Sequence, residues 1–310
     1  MDTLSNISFV IPAYNCANTI NETIESLLDG NFQDGDELII VNDGSVDNTT
    51  NLLYEIKLKY DHIIIISNSL NKGCPATRNI GINIATNALI FNLDSDNILA
   101  PGTVQKLKKS LIENHADVAA FSEYHYFHDS ITNVTHKWIC KAGLLSLADF
   151  LSGPINPGPG GNFLHTKESW ERLGGYDEVG KGLHEAWGYT LKHLANCSKF
   201  VVVPDTFYYH RYGHESLFVR ESASKNNNSL MATKLITPYL DLIIVEDAEY
   251  VLSDEGSKSW FDNFEQRPLR LKSGEKGING KVVYLSKRNR TSFLKRMITG
   301  FKHLVLKYEK

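Results

Sequence analysis

The stretch that decides the fold is Ala88-Leu89-Ile90-Phe91-Asn92-Leu93-Asp94-Ser95-Asp96-Asn97, in which an apolar run ends at two carboxylates two residues apart. Side chains at positions i and i+2 of an extended segment point the same way, so Asp94 and Asp96 can face one divalent cation or its bound water. A cation held by few protein oxygens keeps positions open for phosphate. The alternative is a solvated turn that caps a helix near Pro101.

The residues before this stretch repeat one pattern of apolar strand, polar turn and periodic helix. Apolar runs at 7–11, 37–41 and 63–66 are each followed by a polar turn, and helical periodicity follows the first turn. Strands that alternate with helices indicate an α/β protein with a mainly parallel sheet. Ligands of such sheets collect at the carboxyl ends of the strands. We therefore expect Asp43, Asp94 and Asp96 to share one cleft.

Several motifs, taken in order, resemble glycosyltransferase family 2. They are Ile11-Pro12-Ala13-Tyr14-Asn15, Asn42-Asp43-Gly44-Ser45, Asn71-Lys72-Gly73 with Ala76-Thr77-Arg78-Asn79-Ile80-Gly81, Leu93-Asp94-Ser95-Asp96 and Gly174-Gly175-Tyr176-Asp177-Glu178. The resemblance fades beyond Glu221. It implies a GT-A fold, with a Rossmann-like, mainly parallel central sheet flanked by helices. It also implies a nucleotide-diphosphate sugar donor, Mn²⁺ or Mg²⁺, and transfer with inversion at the anomeric carbon.

The resemblance places the donor at the ends of the first four strands. Asp96 is the first choice for a direct metal ligand, whereas Asp94 fits either a water-mediated metal contact or the ribose or donor sugar. Asp43 is expected on the nucleobase or ribose, and Arg78 on the diphosphate or in a salt bridge. The donor-binding candidates are Pro12, Ala13, Tyr14, Asn15, Asp43, Gly73, Arg78, Asp94, Ser95 and Asp96.

The base that takes the proton of the acceptor hydroxyl is where the sequence departs from the family pattern. The family commonly carries a Glu-Asp pair after the Gly-Gly-Tyr-Asp-Glu element. The matching segment here places Glu185 on the first acid and Ala186 on the second, which is usually the catalytic one. Glu185 is the best replacement, His184 is chemically able, and Asp177 is a more distant candidate.

Two further segments resemble parts of the family's acceptor and metal sites. The loop from Asn156 to Phe163 is too rich in glycine and proline for regular structure and is expected to line the acceptor site. Its candidate acceptor-binding residues, with one from the later helix, are Gly160, Gly161 and Trp187. His210 and His214 are alternatives for completing the metal shell, and Arg211 is a candidate for phosphate contact.

Composition excludes several classes of protein. A formal net charge of −4 argues against a dedicated nucleic-acid-binding protein. The four cysteines, Cys16, Cys74, Cys140 and Cys197, lack paired metal spacing and indicate free thiols in a reducing compartment. No apolar run is long enough to span a bilayer, and the first residues lead directly into a core strand. We expect a cytoplasmic protein, or one peripheral at the inner membrane face.

The pattern predicts a catalytic domain at 1–220, with a nucleotide-sugar half at 1–100 and an acceptor half at 101–220. Residues 221–310 are predicted to form a mostly helical C-terminal extension. Its last part, Lys287 to Lys310, reads as a basic amphipathic helix with Phe293, Met297, Phe301 and Val305 in one stripe. That helix is suited to an anionic membrane surface, or to packing on the catalytic domain or a second subunit.

These observations predict a metal-dependent inverting glycosyltransferase, of the hexosyl- or N-acetylhexosaminyltransferase type. We expect it to use a UDP-sugar in surface polysaccharide or glycoconjugate biosynthesis, with a glycan or lipid-linked glycan acceptor. The alternative, suggested by Ala186, is a weak or inactive relative that binds nucleotide sugar or glycan. A sugar-nucleotide pyrophosphorylase is disfavoured, because no early glycine-rich phosphate loop followed by basic residues is present.

Overall fold

The structure is a computed structural model that describes residues 6–60, 62–153, 161–179, 184–213, 228–262, 267–277 and 281–285. The strands are β1 Ile7–Ala13, β2 Glu37–Asn42, β3 Ile64–Ser67, β4 Leu89–Asn92, β5 Ile98–Leu99, β6 Val118–Phe127, β7 Val134–Ile139, β8 Gly143–Leu144, β9 Phe163–Thr166, β10 Phe200–Arg211 and β11 Lys281–Tyr284. The α-helices are α1 Ile20–Leu28, α2 Thr49–Lys59, α3 Cys74–Ile84, α4 Thr103–Glu113, α5 Leu147–Phe150, α6 Lys167–Leu173, α7 Glu185–Ala195, α8 Asn228–Ile236, α9 Val245–Leu252 and α10 Asp254–Ser257.

The first four long strands form the parallel part of the sheet, in the order β3-β2-β1-β4. β1 and β2 are apolar and almost wholly buried, as expected for strands covered on both faces. Helix α3 approaches them closely because Gly81 has no side chain: a Cβ there would lie 2.5 Å from Val10 Cγ1. The predicted α/β architecture is confirmed, and the ends of β1, β2 and β4 lie at one edge.

The second half of the sheet is mixed rather than parallel. β9 runs antiparallel to both β4 and β6, and β7 runs antiparallel to β6 and β11. β10 is parallel to β6, and its register shifts between Val203 and Phe207. Beyond that shift, Tyr208 and Tyr209 pair with β5. β5 directly follows residues 93–97, which contain Asp94 and Asp96 and are called the acidic loop. The first half of the sheet is therefore wholly parallel, as predicted, whereas the second half combines the parallel pair β6 and β10 with antiparallel neighbours.

The C-terminal segment is helical in its described part but also contributes a strand. A 3₁₀ helix, Thr237–Leu242, follows α8, and a π-helix, Lys258–Asp262, follows α10. Between the 3₁₀ helix and α9, Ile243 makes a single antiparallel bridge to Leu271, and Val245 begins α9. The unpredicted strand β11 extends the sheet beside β7. The segment thus joins the main sheet.

Two contacts fix the C-terminal segment to the rest of the protein. Leu269 N donates a 2.9 Å hydrogen bond to Leu151 O, and the fully buried Trp260 packs 6.4 Å from Trp187, centroid to centroid. The amphipathic helix predicted at 287–310 lies outside the described residues. In the described ranges, none of the helices combines the length and apolarity needed to cross a bilayer.

Candidate active site

The loops that follow β1 and β2 are hydrogen-bonded to each other at the carboxyl edge of the sheet. Asp43 N donates to Ala13 O at 2.8 Å, and Asn15 N donates to Ser45 Oγ at 3.0 Å. The Asn15 side chain returns a bond, because its Oδ1 accepts from Val46 N at 2.9 Å. The β1 loop is also tied to the acidic loop, since Thr19 Oγ1 donates to Ser95 O at 2.8 Å. The predicted donor residues therefore form one continuous edge.

Asp43 organises the turn between β3 and α3. Its buried carboxylate accepts hydrogen bonds from Asn68 Nδ2, Lys72 N and Gly73 N at 2.8, 2.9 and 2.8 Å. Gly73 has a φ of 93°, a backbone conformation that favours glycine. It lies directly before Cys74, the first residue of α3. A carboxylate has about four lone-pair sites, so these three bonds leave acceptor capacity for a ligand. Pro12 and Tyr14, at the carboxyl end of β1, are half-buried.

Backbone and side-chain hydrogen bonds hold the acidic loop from both sides. Asp94 N donates to Asn162 Oδ1 at 2.7 Å, and Asn97 Nδ2 donates to Asp94 Oδ2 at 3.2 Å. On the other side, Arg211 Nε donates to Asp96 O at 3.1 Å, and Arg211 N donates to Asn97 Oδ1 at 3.0 Å. The loop geometry is therefore set before any ligand binds.

Arg211 lies on β10 directly beside the acidic loop. Its guanidinium forms an ion pair with Glu22 and lies 4.5 Å over the ring of Phe127, and its Nε donates to the Asp96 carbonyl. These contacts hold the loop against β10, and the expected contact of Arg211 with phosphate stays a prediction.

Arg78 joins the two halves of the site. Its Nη2 pairs with Asp94 Oδ1 and its Nη1 pairs with Glu185 Oε1. The Arg78 side chain is 1% exposed, whereas those of Asp94 and Glu185 are 24% and 15% exposed. The ring of Tyr176 lies 5.4 Å from the guanidinium carbon. The predicted donor arginine is therefore a buried bridge between two carboxylates that remain open to a ligand.

One buried donor beside Asp94, Arg78 Nε, makes no hydrogen bond within the part of the chain that the structure describes. A buried donor without an acceptor is costly, so this nitrogen favours a ligand with many oxygens. Gly161 also faces this point, since a Cβ there would collide with the Asp94 carboxylate and lie 2.8 Å from Arg78 Nη2. Sugar hydroxyls and phosphate oxygens have the required acceptor atoms.

Burial and the neighbouring charged side chains together shift the pKa values of Asp94 and Arg78. Burial raises the pKa of Asp94, with Asp96 and Glu185 adding to the rise and Arg78 opposing it. Burial alone would lower the pKa of Arg78, but the neighbouring Cys74, Glu185 and Asp94 hold it well above its usual range. The arginine therefore remains charged.

Glu185 is the predicted base that the structure brings to the centre of the site. It is the first residue of α7, where the helix N-terminus favours a carboxylate. Its Oε1 contacts Arg78, and Cys74 Sγ lies 4.0 Å away. Within the described residues, Oε2 makes no hydrogen bond, so that oxygen is available to an acceptor hydroxyl. Ala186 supplies no second acid.

The structure places the other two base candidates differently. His184 caps α7 in the left-handed region with a φ of 62°, and burial lowers its pKa to about 4. It is therefore a neutral imidazole at pH 7. Asp177 is exposed, and its Oδ1 accepts a 2.7 Å hydrogen bond from Lys192 Nζ. Of the three candidates, only Glu185 contacts the Arg78 bridge.

The remaining predicted residues separate into three groups. Gly161 lies beside Asp94, whereas Gly160 and His214 lie outside the described residues. Trp187 packs between Phe150 and Phe261, each with ring centroids 5.5 Å away, so it contacts the C-terminal segment. His210 lies 4.7 Å from the ring of Tyr126. Across the described ranges, no group of three or more His, Cys, Asp or Glu residues is arranged to hold a metal ion.

Sequence reasoning missed Asn162 as a part of this site. Its amide fixes Asp94, and it is fully buried directly before β9. The available signal was its position between the glycine-rich loop and the short apolar run that begins at Phe163. A polar side chain at such a junction is well placed to bind the end of the neighbouring strand β4, which leads to Asp94.

Solved structures with a similar fold define the class. The crystal structure of S. aureus TarS 1-349 in complex with UDP-GlcNAc aligns with a TM-score of 0.57, at 17% sequence identity, over 82% of this chain and 75% of that one. The shared feature is the GT-A fold, in which a central sheet is flanked by helices. Residues 8–174 also match the model of Glycosyl transferase family 2. Because that match covers more than half of the 310 residues, the chain belongs to glycosyltransferase family 2.

Curated relatives share parts of this chain. The poly(ribitol-phosphate) beta-glucosyltransferase of Bacillus spizizenii is 34% identical over 114 residues, which are 36% of this chain and 18% of that protein. The UDP-Glc:alpha-D-GlcNAc-diphosphoundecaprenol beta-1,3-glucosyltransferase WfaP of Escherichia coli is 40% identical over 90 residues, which are 29% of this chain and 35% of that protein. The matches thus span well under two thirds of either relative.

Proposed function

We propose that the protein is a metal-dependent inverting glycosyltransferase that moves a sugar from a UDP-sugar to a hydroxyl of a glycan or lipid-linked glycan. The observation that carries this proposal is the Arg78 bridge, which holds donor-side Asp94 and acceptor-side Glu185 in one cluster. A transferase needs its donor and its base within reach of one anomeric carbon. The bridge supplies that relationship through two direct contacts.

The donor side fits a divalent cation whose shell is completed by the substrate. Mg²⁺ is usually bound by one or two carboxylates together with water and substrate phosphates, rather than by a full protein cage. Asp96 and Asp94 are the residues that would hold the ion, and Asp94 is also paired with Arg78. When bound, Mn²⁺ or Mg²⁺ would neutralise the charge that grows on the leaving diphosphate.

The acceptor side fits proton removal by Glu185. The acceptor hydroxyl oxygen forms a bond to the anomeric carbon while the bond from that carbon to the phosphate oxygen breaks. The hydroxyl proton passes to Glu185, and the electron pair of the broken bond leaves with the nucleoside diphosphate. Attack opposite to the leaving group inverts the anomeric centre. Arg78 fixes Glu185 Oε1 and leaves Oε2 for this step.

A uridine donor and a surface-glycan role are supported by the relatives. The TarS structure holds UDP-GlcNAc, and the name of the E. coli relative specifies UDP-Glc. The names of the two curated relatives specify a poly(ribitol-phosphate) and a GlcNAc-diphosphoundecaprenol as acceptors. We extend these properties to this chain as a hexosyl- or N-acetylhexosaminyltransferase.

We also propose the division into a catalytic domain at 1–220 and a C-terminal extension at 221–310. The helices α8 to α10 support the extension as a helical segment, and the Leu269–Leu151 hydrogen bond anchors it to the acceptor half. Peripheral membrane contact or dimerisation through the last segment, in a cytoplasmic protein, belongs to the same proposal.

A binding protein without turnover is the second candidate, favoured by Ala186. This residue occupies the position next to Glu185 where the family usually has its catalytic acid. A positioned general base contributes about a hundredfold to ten-thousandfold in rate. A chain in which Glu185 cannot act as the base would still bind the donor through the acidic loop.

The test is a turnover assay on the full chain with UDP-glucose and UDP-N-acetylglucosamine, with Mn²⁺, Mg²⁺ or a chelator, and a glycan panel. Asp96→Asn is expected to abolish metal-dependent turnover, and Glu185→Gln to lower kcat about a hundredfold or more. Glu171→Gln, an exposed acid on α6, is the matched control and is expected to match the wild type. Metal-dependent donor binding without turnover on any acceptor would favour the binding protein instead.

A further inference from the structure

Aromatic and imidazole rings cover one face of the sheet formed by β7, β6 and β10. Residues two apart on a strand share a face, and the registers pair Tyr124 with Trp138 and Tyr208, and Tyr126 with His136 and His210. We call the set the aromatic row: Tyr124, Tyr126, His136, Trp138, Tyr208, His210 and Tyr212.

The rings of the aromatic row contact one another around Tyr126. Its ring stacks on His136 at 4.3 Å with an interplanar angle of 12°, and lies 5.3 Å from Trp138. Tyr212 closes the group, 6.2 Å from Tyr126 and 5.6 Å from His136. Tyr126, Trp138, His210 and Tyr212 are only partly buried. These four rings are therefore partly accessible to solvent, whereas Tyr124, His136 and Tyr208 are buried.

The aromatic row is continuous with the candidate active site. Its buried end is Tyr208, whose hydroxyl lies 3.4 Å from His210 Nδ1. The Asn162 side chain, which accepts a hydrogen bond from Asp94 N, also forms a hydrogen bond with Tyr208. The row therefore begins at the residue that fixes Asp94.

The backbone gives a second connection. Arg211 lies between two members of the row, and its N–H and Nε–H are hydrogen-bonded to Asn97 and to the Asp96 carbonyl. The strand that carries His210 and Tyr212 is thus held rigidly against the acidic loop. A molecule on the row would be positioned relative to the donor by this strand.

The chemistry of the row selects among possible occupants. A pyranose ring has C–H faces that pack on flat aromatic faces, while tyrosine hydroxyls and imidazole nitrogens can bond its hydroxyls. The row contains no Lys or Arg, so it lacks the cations that a phosphate polymer would need. Its polar ring atoms equally disfavour a fatty acyl chain. A neutral saccharide matches both properties.

We propose that the aromatic row is the acceptor platform, on which a neutral saccharide stacks with a hydroxyl directed towards the Asp94–Arg78–Glu185 cluster. This inference rests on the proposed function for its catalytic consequence, whereas saccharide binding itself does not depend on turnover. Trp138 and Tyr212 supply the outer stacking surfaces. Tyr126 and His136 support them from below as a stacked pair.

The test measures direct binding and transfer with oligomers of β-linked glucose and of N-acetylglucosamine. Trp138→Ala and Tyr212→Ala are each expected to weaken saccharide binding and raise the acceptor KM about tenfold, which corresponds to about 1.4 kcal/mol for a lost stack. The donor KM and donor hydrolysis without acceptor should not change. Trp138→Phe keeps a ring and should restore most of the binding.

The matched control is Tyr209→Ala, which removes a half-buried ring from the opposite face of the same strand. It should leave saccharide binding unchanged, and a thermal unfolding midpoint is recorded for every variant. Equal losses in Tyr209→Ala and Trp138→Ala would overturn the proposal. So would binding of phosphate-containing polymers alone, or of no saccharide at all.

Failure of the two proposals can be distinguished. If the wild type turns over no UDP-sugar yet binds an oligosaccharide in a manner lost in Trp138→Ala, the proposed activity fails and the platform stands. If turnover is observed while Trp138→Ala and Tyr212→Ala retain the wild-type acceptor KM, the platform fails and the activity stands.

Discussion

Arg78 contacts Asp94 through Nη2 and Glu185 through Nη1, so one buried guanidinium holds together a carboxylate from the end of β4 and a carboxylate from the start of α7. The two partners lie 16 and 107 residues from Arg78 in the sequence. Each half of the site therefore depends on Arg78, because its removal would leave two largely buried carboxylates close together without their shared cation.

Arg78→Lys should destabilise the protein although it preserves the charge. A lysine ammonium is a compact point charge and cannot hold two carboxylates in the planar fork of arginine. We expect the free energy of unfolding to fall by about 3 kcal/mol, as for other broken buried pairs. Urea unfolding measures this change in the free energy of unfolding. Arg172→Lys, in a half-exposed pair with Asp117, is the control and should cost about 1 kcal/mol or less. Equal losses in both variants would show that the buried Arg78 bridge stabilises the protein no more than a half-exposed pair does.

Gly161→Ala should impair activity more than stability. The new Cβ would occupy the space of the Asp94 carboxylate and press on Arg78 Nη2, so this ion pair would have to move. We expect kcat/KM for the donor to fall about tenfold or more, since misplacement by about 1 Å can cost a hundredfold. Steady-state kinetics and a thermal scan together check this. An unchanged kcat/KM would show that the Asp94–Arg78 geometry is not required.

Acid should destabilise the protein through its buried histidines. Burial lowers the pKa of His165 from 6.5 to about 4, while its ring bonds Asn92 Nδ2 and Thr166 O. Between those pH values the unfolded chain binds a proton that the folded chain does not, so stability falls as the pH drops from 6.5 to 4. The contribution is about 3 kcal/mol. Urea unfolding at pH 7 and 4.5 should show a smaller difference for His165→Gln than for the wild type.

Asp247→Asn should loosen the C-terminal segment. Burial acts to raise the pKa of Asp247, but hydrogen bonds from Arg270 and Arg267 outweigh it and hold the pKa below its usual value. The stabilisation is therefore present at neutral pH and is lost as the pH falls through the lowered pKa. We expect a loss of about 2 kcal/mol at pH 7, less than for a closed pair because Arg270 is 60% exposed.

The control for this variant is Asp241→Asn, in which the same change is made at an exposed position of the neighbouring 3₁₀ helix. Its midpoint of chemical unfolding should match the wild type. If Asp247→Asn also matched the wild type, the buried carboxylate would contribute no net stability.

The parallel half of the sheet was predictable because its cause is local. Apolar runs and the polar turns after them place Asp43 and Asp94 at one edge without any knowledge of distant contacts. The mixed second half was not, since β9 has four residues and pairs antiparallel with strands far away in sequence. No periodicity in the sequence reports such a pairing.

The identity of the site residues was partly predictable, but their relationships were not. Arg78, Asp94 and Glu185 were each expected from motifs, whereas the bridge depends on how α3 and α7 meet in space. The alternation of Tyr208, His210 and Tyr212 is visible in the sequence. These three side chains form part of a larger ring-covered surface only because β6 and β7 add rings to the same face.

The strand β11 has a consequence for the handling of shortened versions of this protein. It pairs along β7 from Ile139 to His136 and covers backbone groups that would otherwise form an open edge. An uncovered edge of this kind is a template for strands of other molecules. A chain ending before Lys281 should therefore aggregate through backbone pairing at β7, even where its catalytic residues are intact.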